Sequence, residues 1–116
     1  MEKFTSQNKL FFVLLLFLVC IFLIPQNGFS QNLETQYKTA VNKNRPNKAG
    51  KLAQQIGKGY YRQGNTSKAI DYFNQAIKYS ANVKDYQNLG RVYASLAEIY
   101  KQKKEYELAV FNYKKA

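Results

Sequence analysis

One spacing constrains this chain more than any other feature. An aromatic residue stands three positions before an alanine at Tyr37/Ala40, Phe73/Ala76 and Tyr113/Ala116, at offsets of 36 and then 40 residues. Two of these pairs have a further alanine seven residues before the last one, Ala69 before Ala76 and Ala109 before Ala116. A tyrosine lies nine residues upstream of that alanine in both units, Tyr60 and Tyr100, and each follows a short pair, Ile56-Gly57 and Leu96-Ala97. Recurrence over 20–50 residues marks chains built by stacking one supersecondary unit.

The spacing inside a unit is helical. Ile56, Gly57 and Tyr60 share one face, and Ala69, Ile70, Phe73, Ala76 and Ile77 form an apolar stripe of period 3.6. Small residues (Gly57, Ala69, Ala76) permit close helix approach, and the aromatic rings fill the space between. Between the two helices lies Arg62-Gln63-Gly64-Asn65-Thr66-Ser67. Gly64 suits a left-handed helix terminator, and Asn65, Thr66 or Ser67 can cap the next helix. The fold class expected is all-α, an antiparallel helix-hairpin solenoid.

With these residues in view, 50–83 resembles a tetratricopeptide repeat, through Ile56-Gly57-Lys58-Gly59-Tyr60 and Ala69-Ile70-Asp71-Tyr72-Phe73-Asn74-Gln75-Ala76. The segment 84–116 resembles a second repeat, with Lys104 where the first has Gly64, and 31–49 a degenerate leading helix and linker. The resemblance implies a right-handed superhelix. The 40-residue offset exceeds the family's usual 34. It predicts a lengthened helix from about Asp85 to Lys103, with Asp85 as N-cap. Long repeats of this kind resemble the helical sensor regions that precede bacterial histidine kinases and related regulators. Ala116 falls inside the second helix of its unit. The chain is therefore expected to be part of a longer protein, or to pair its open repeat face with another copy or partner.

Ahead of the repeats, Lys3 and Lys9 precede fifteen consecutive apolar residues, Leu10 to Ile24, then Pro25. That length suits a signal peptide better than a membrane span of about 20 residues. Gly28 and Ser30 place cleavage after Ser30, so 1–30 is read as a signal peptide, with a signal anchor as the alternative. A lipoprotein at Cys20 fits poorly, because Val19 precedes it and the apolar run continues beyond. The expected location is periplasmic or extracellular, with the membrane met only through an uncleaved N-terminal segment.

Composition narrows the chemistry. There is no His, no Trp and a single Cys among 116 residues. An imidazole base, an internal disulfide and a Cys-rich zinc site are thereby excluded. No nucleophile–base pair can be assembled, and Gly57-Lys58-Gly59 follows no strand, so no enzyme, metal or cofactor is expected. Asp71 and Glu107 are placed near helix N-termini, where they complement the dipole. Residues 31–116 carry 16 basic and 6 acidic side chains, net +10.

In the family resembled, the first helix of each unit lines a concave groove. That implies a groove of Lys51, Gln54, Lys58, Tyr61 and Arg62 from one unit and Arg91, Ala94, Ser95, Glu98 and Lys101 from the next. Some relatives hold a terminal carboxylate with Lys, Asn and Arg. Lys58 and Gln54 resemble part of such a set, but no Asn stands at the matching positions. The expected partner is an acidic peptide or protein segment. The alternative is a polyanion, whether surface polysaccharide, anionic lipid or nucleic acid, the last disfavoured by export.

Overall fold

The computed structural model describes residues 6–23 and 28–116. They form six helices: α1 (Ser6–Leu23), α2 (Gly28–Asn42), α3 (Pro46–Arg62), α4 (Thr66–Asn82), α5 (Tyr86–Gln102) and α6 (Tyr106–Lys115). Lys3 and Pro25, part of the proposed leader, lie outside the described residues. Helix α1 carries Leu10 through Val19 exposed, and among the described residues it makes no helix–helix contact. Among the described residues no helix is long and apolar enough to cross a membrane. Helix α2 runs unbroken through the Ser30–Gln31 bond.

From α2 onward the chain is metrically regular, and the turns set the metre. Each pair of helices is joined by three residues: 43–45, 63–65, 83–85 and 103–105. The middle one takes positive φ every time, Asn44 at 52°, Gly64 at 80°, Lys84 at 57° and Lys104 at 60°. The next N–H reaches back five residues, from Arg45 to Ala40, Asn65 to Tyr60, Asp85 to Ser80 and Glu105 to Tyr100, at 2.8–2.9 Å. Together with the N–H of the positive-φ residue bonding three residues back, this is the Schellman helix ending. Lys104, read from sequence as a departure from Gly64, therefore adopts the same backbone. The side chains of Asn65 and Asp85 cap α4 and α5 by accepting from the N–H of Lys68 (3.3 Å) and Asn88 (3.1 Å). Arg45 offers no cap to α3, which instead opens on Pro46, where a missing N–H is harmless. Glu107 does lie in the first turn of α6, whereas Asp71 lies beyond the first turn of α4.

Equal turns correct the register of the leading helix. Helix α2 ends at Asn42 and α4 at Asn82, so the repeat is 40 residues throughout and the offset of 36 does not hold. Tyr37 corresponds to Ile77, one helical turn from the Phe73 position, and Leu33 takes the Phe73 place. Packing agrees. Leu33 is buried with Leu52 and Ile56, as Phe73 is buried with Val92 and Leu96, which lie 40 residues further on. Helix α5 spans Tyr86–Gln102 with Asp85 as N-cap, but α3 and α4 have the same 17 residues. The added length is a property of every helix of the first repeat and is not special to α5. Helix α3 also begins at Pro46, so residues 46–49 are helical, with Ala49 buried.

Helices α2 to α6 pack as consecutive antiparallel neighbours. The backbone of α3 also approaches that of α5, whereas those of α2 and α4, or α4 and α6, stay apart. The array is therefore closed on the α3/α5 side and splayed on the other, and side-chain size follows. Small residues stand where α3 packs closely on α4. A Cβ added to Gly57 would lie 2.8 Å from the Phe73 ring, and one on Gly50 2.6 Å from Ser80 Oγ. On the splayed side, tyrosines bridge the gap. The Tyr37 ring meets Tyr72 edge-on at 5.8 Å and Tyr79 at 6.2 Å, and Tyr72 stacks on Tyr60 at 5.6 Å. Tyr60 donates to Glu34 Oε1. Burial, together with Tyr79 beside it, pushes the Tyr37 hydroxyl up to about 12. Burial, with Glu34 and Tyr60 near, also raises Tyr72.

Candidate functional site

The α3/α5 side holds a hollow of about 410 Å³. One turn of α3 supplies Lys58, Tyr61 and Arg62, the facing turn of α5 supplies Ala94, Ser95 and Glu98, and Phe73 of α4 forms the floor. On an α-helix, positions three and four apart share a face, so 58, 61 and 62 point together, as do 94, 95 and 98. The floor is apolar because the Phe73 ring slides over Gly57, the one residue there that leaves it room.

The walls differ in charge. Lys58 and Arg62 stand on one side and make no ion pair, since Lys103–Glu105 at 3.3 Å is the ion pair found among the described residues. Glu98 stands on the other side. Its Oε2 accepts from the Tyr113 hydroxyl of α6 at 3.2 Å, which holds the carboxylate against its own hairpin. Ser95 donates its hydroxyl to the Arg91 carbonyl at 3.0 Å and so presents an acceptor oxygen to the hollow.

The ten groove residues expected from sequence divide six to four. Lys58, Tyr61, Arg62 and Glu98 converge on this hollow, with Ala94 and Ser95. Lys51 lies nearer the α3 N-terminus, at a separate hollow of about 510 Å³ with Arg45, Pro46, Asn47, Lys48 and Val83. Arg91 and Lys101 are exposed but outside the hollow. Gln54 keeps 7% of its surface and has little to offer a ligand.

Two features escaped the sequence reading. Phe73 was expected in the core and is also the floor of the hollow. The basic cluster Lys43, Arg45 and Lys48 was not singled out. Arg45 and Lys48 border both the 510 Å³ hollow and one of about 130 Å³ against α2, and no carboxylate lines either. The signal available was the run Lys43-Asn44-Arg45-Pro46-Asn47-Lys48, whose density of cations around a proline marks a turn.

Among the described residues no three His, Cys, Asp or Glu side chains converge as a metal site would require. The hollow contains donors, acceptors and an apolar floor, which is equipment for holding a polar chain.

Comparison with known families places this geometry. The family model for the tetratricopeptide repeat matches residues 48–116, and no enzyme family appears. No curated protein and no solved structure matches the chain.

Proposed function

The chain belongs to the tetratricopeptide repeat family, in general a class of protein–protein interaction scaffolds, and from that premise we propose that it holds an extended acidic peptide or partner segment in the α3/α5 groove. The observation that carries this is the convergence of Lys58, Tyr61 and Arg62 on one hollow, with both cations free of ion pairs among the described residues. A carboxylate arriving there gains two charge-assisted partners without first breaking an internal pair.

The reading extends to address and role. The protein is exported, α1 serving as its leader or anchor, and the repeats are the sensing part of a longer signalling protein. Support for export is that Leu10 through Val19 of α1 are exposed and that, among the described residues, α1 makes no helix–helix contact with α2–α6.

Charge reversal tests the groove. Lys58→Glu should weaken binding of an acidic peptide about tenfold or more, since a hydrogen bond to a charged group contributes about 1.5–3 kcal/mol. Helicity should be unchanged, because Lys58 is exposed. Equal affinity in fluorescence anisotropy would move the groove elsewhere. Deleting Leu14–Leu18 should retain the protein in the cytosol on cell fractionation, and continued export would refute the address.

A second reading is favoured by the cluster of Lys43, Arg45, Lys48 and Lys51 around hollows without a carboxylate. Such a surface suits a polyanion. Salt separates the two: polyanion binding falls steeply with ionic strength and without sequence preference, whereas groove binding follows Lys58 and Arg62.

A further inference from the structure

The groove is not uniformly cationic, and the departure sits at a repeat-equivalent position. Lys58 and Glu98 occupy the same place in α3 and α5, forty residues apart, and both line the one hollow. The charge therefore inverts from one repeat to the next along the path a ligand must follow. Glu98 is also held. Tyr113 donates to its Oε2, while Oε1 accepts no hydrogen bond from any described residue. The carboxylate is not neutralised by Lys58 or Arg62, since neither forms an ion pair. A carboxylate with one oxygen unbonded favours a cation and repels a second carboxylate.

Resting on the peptide-groove reading above, we propose that the hollow selects a segment of mixed charge. An acidic side chain meets Lys58 and Arg62, and a basic side chain two or three positions away meets Glu98. The spacing follows from geometry. Packed helices lie about 8–10 Å apart, and an extended or polyproline-like peptide advances about 3.1–3.4 Å per residue. A segment crossing from α3 to α5 covers that distance in two or three residues. A wholly acidic segment brings a carboxylate onto Glu98 and is rejected by repulsion.

The test uses the full chain and fluorescein-labelled ten-residue peptides of Ala, Gly and Ser. They carry either a Glu and a Lys or two Glu, at separations of two and three positions. In fluorescence anisotropy the protein should bind the better-spaced Glu/Lys peptide about five- to tenfold more tightly than the Glu/Glu peptide, the gain expected of one sheltered pair. Glu98→Gln should shrink that preference to within about twofold, and Glu98→Lys should reverse it. A variant that merely disturbed the fold would lose both peptides together, so reversal isolates the charge, and circular dichroism checks helicity. If the Glu/Glu peptide binds as tightly as the Glu/Lys peptides in a Lys58-dependent way, the groove stands and the mixed-charge inference falls. If no peptide binds, both readings fall.

Discussion

The α3–α4 and α5–α6 hairpins carry the same spacing yet bury it differently. Phe73 in α4 is wholly buried, while Tyr113, its counterpart 40 residues on, is 47% exposed. Ile70 is half-buried and its counterpart Val110 is exposed. The alanines do not differ in this way, Ala69 at 0% and Ala109 at 4%. An alanine of this motif is covered within its own hairpin, by the helix before it. The aromatic needs the helix after it as well: Phe73 lies over Gly57 of α3 and shares its core cluster with Val92, Leu96 and Ile99 of α5, whereas no described helix follows against that face of α6. Half of the motif thus reports on hairpin closure and half on stacking.

The largest effect expected from this contrast is on stability. Phe73→Ala removes a buried ring and leaves a cavity, which should cost about 3–5 kcal/mol. Tyr113→Ala, on an exposed ring, should cost about 1 kcal/mol or less, as surface changes do. Chemical denaturation of the two variants checks this. Equal losses would mean that α6 is covered in solution as α4 is.

The turns offer a smaller test, of opposite sign in the two hairpins. Gly64 and Lys104 share a left-handed backbone that is costly for a side-chain-bearing residue. Lys104→Gly should raise stability by up to about 1 kcal/mol, and Gly64→Ala should lower it by about 1 kcal/mol. A destabilised Lys104→Gly would show that this turn draws its stability from the lysine side chain.

The smallest effect belongs to the splayed side of the first hairpins. The Tyr37 hydroxyl is held near 12, against an ordinary value of 10.0. Because the folded state disfavours the phenolate, the associated stability is whole below about pH 10 and declines as pH rises from about 10 toward 12. The melting temperature should drop over that window, and Tyr37→Phe should flatten the drop. A profile unchanged by the substitution would place the alkaline loss elsewhere.

How much of this was legible in the sequence depends on the reach of each signal. Gly64 and Asp85 could be read because a helix end and a cap are settled within a few residues. The hairpins at Ile56–Ile77 and Leu96–Ala116 could be read because the apolar stripe repeats at helical period. The register of α2 could not. Tyr37 and Ala40 repeat the spacing of Phe73 and Ala76, yet Leu33 fills the matching site. What aligns the helices is a left-handed turn residue, and Asn44, Lys84 and Lys104 adopt that backbone without the glycine that would announce it.

By itself the sequence determined what is local: helices in antiparallel pairs, small residues at their contacts, and the charge and rings available to a partner. Only the tertiary structure decided which of those side chains meet. Lys58, Tyr61, Arg62 and Glu98 converge while Lys51, Arg91 and Lys101 stand apart, Gln54 is covered, and Phe73 is sealed where Tyr113 is open. Helical period sets the direction of a side chain about its own axis. Its neighbours come from a helix placed by a turn elsewhere in the chain, and burial follows from that placement.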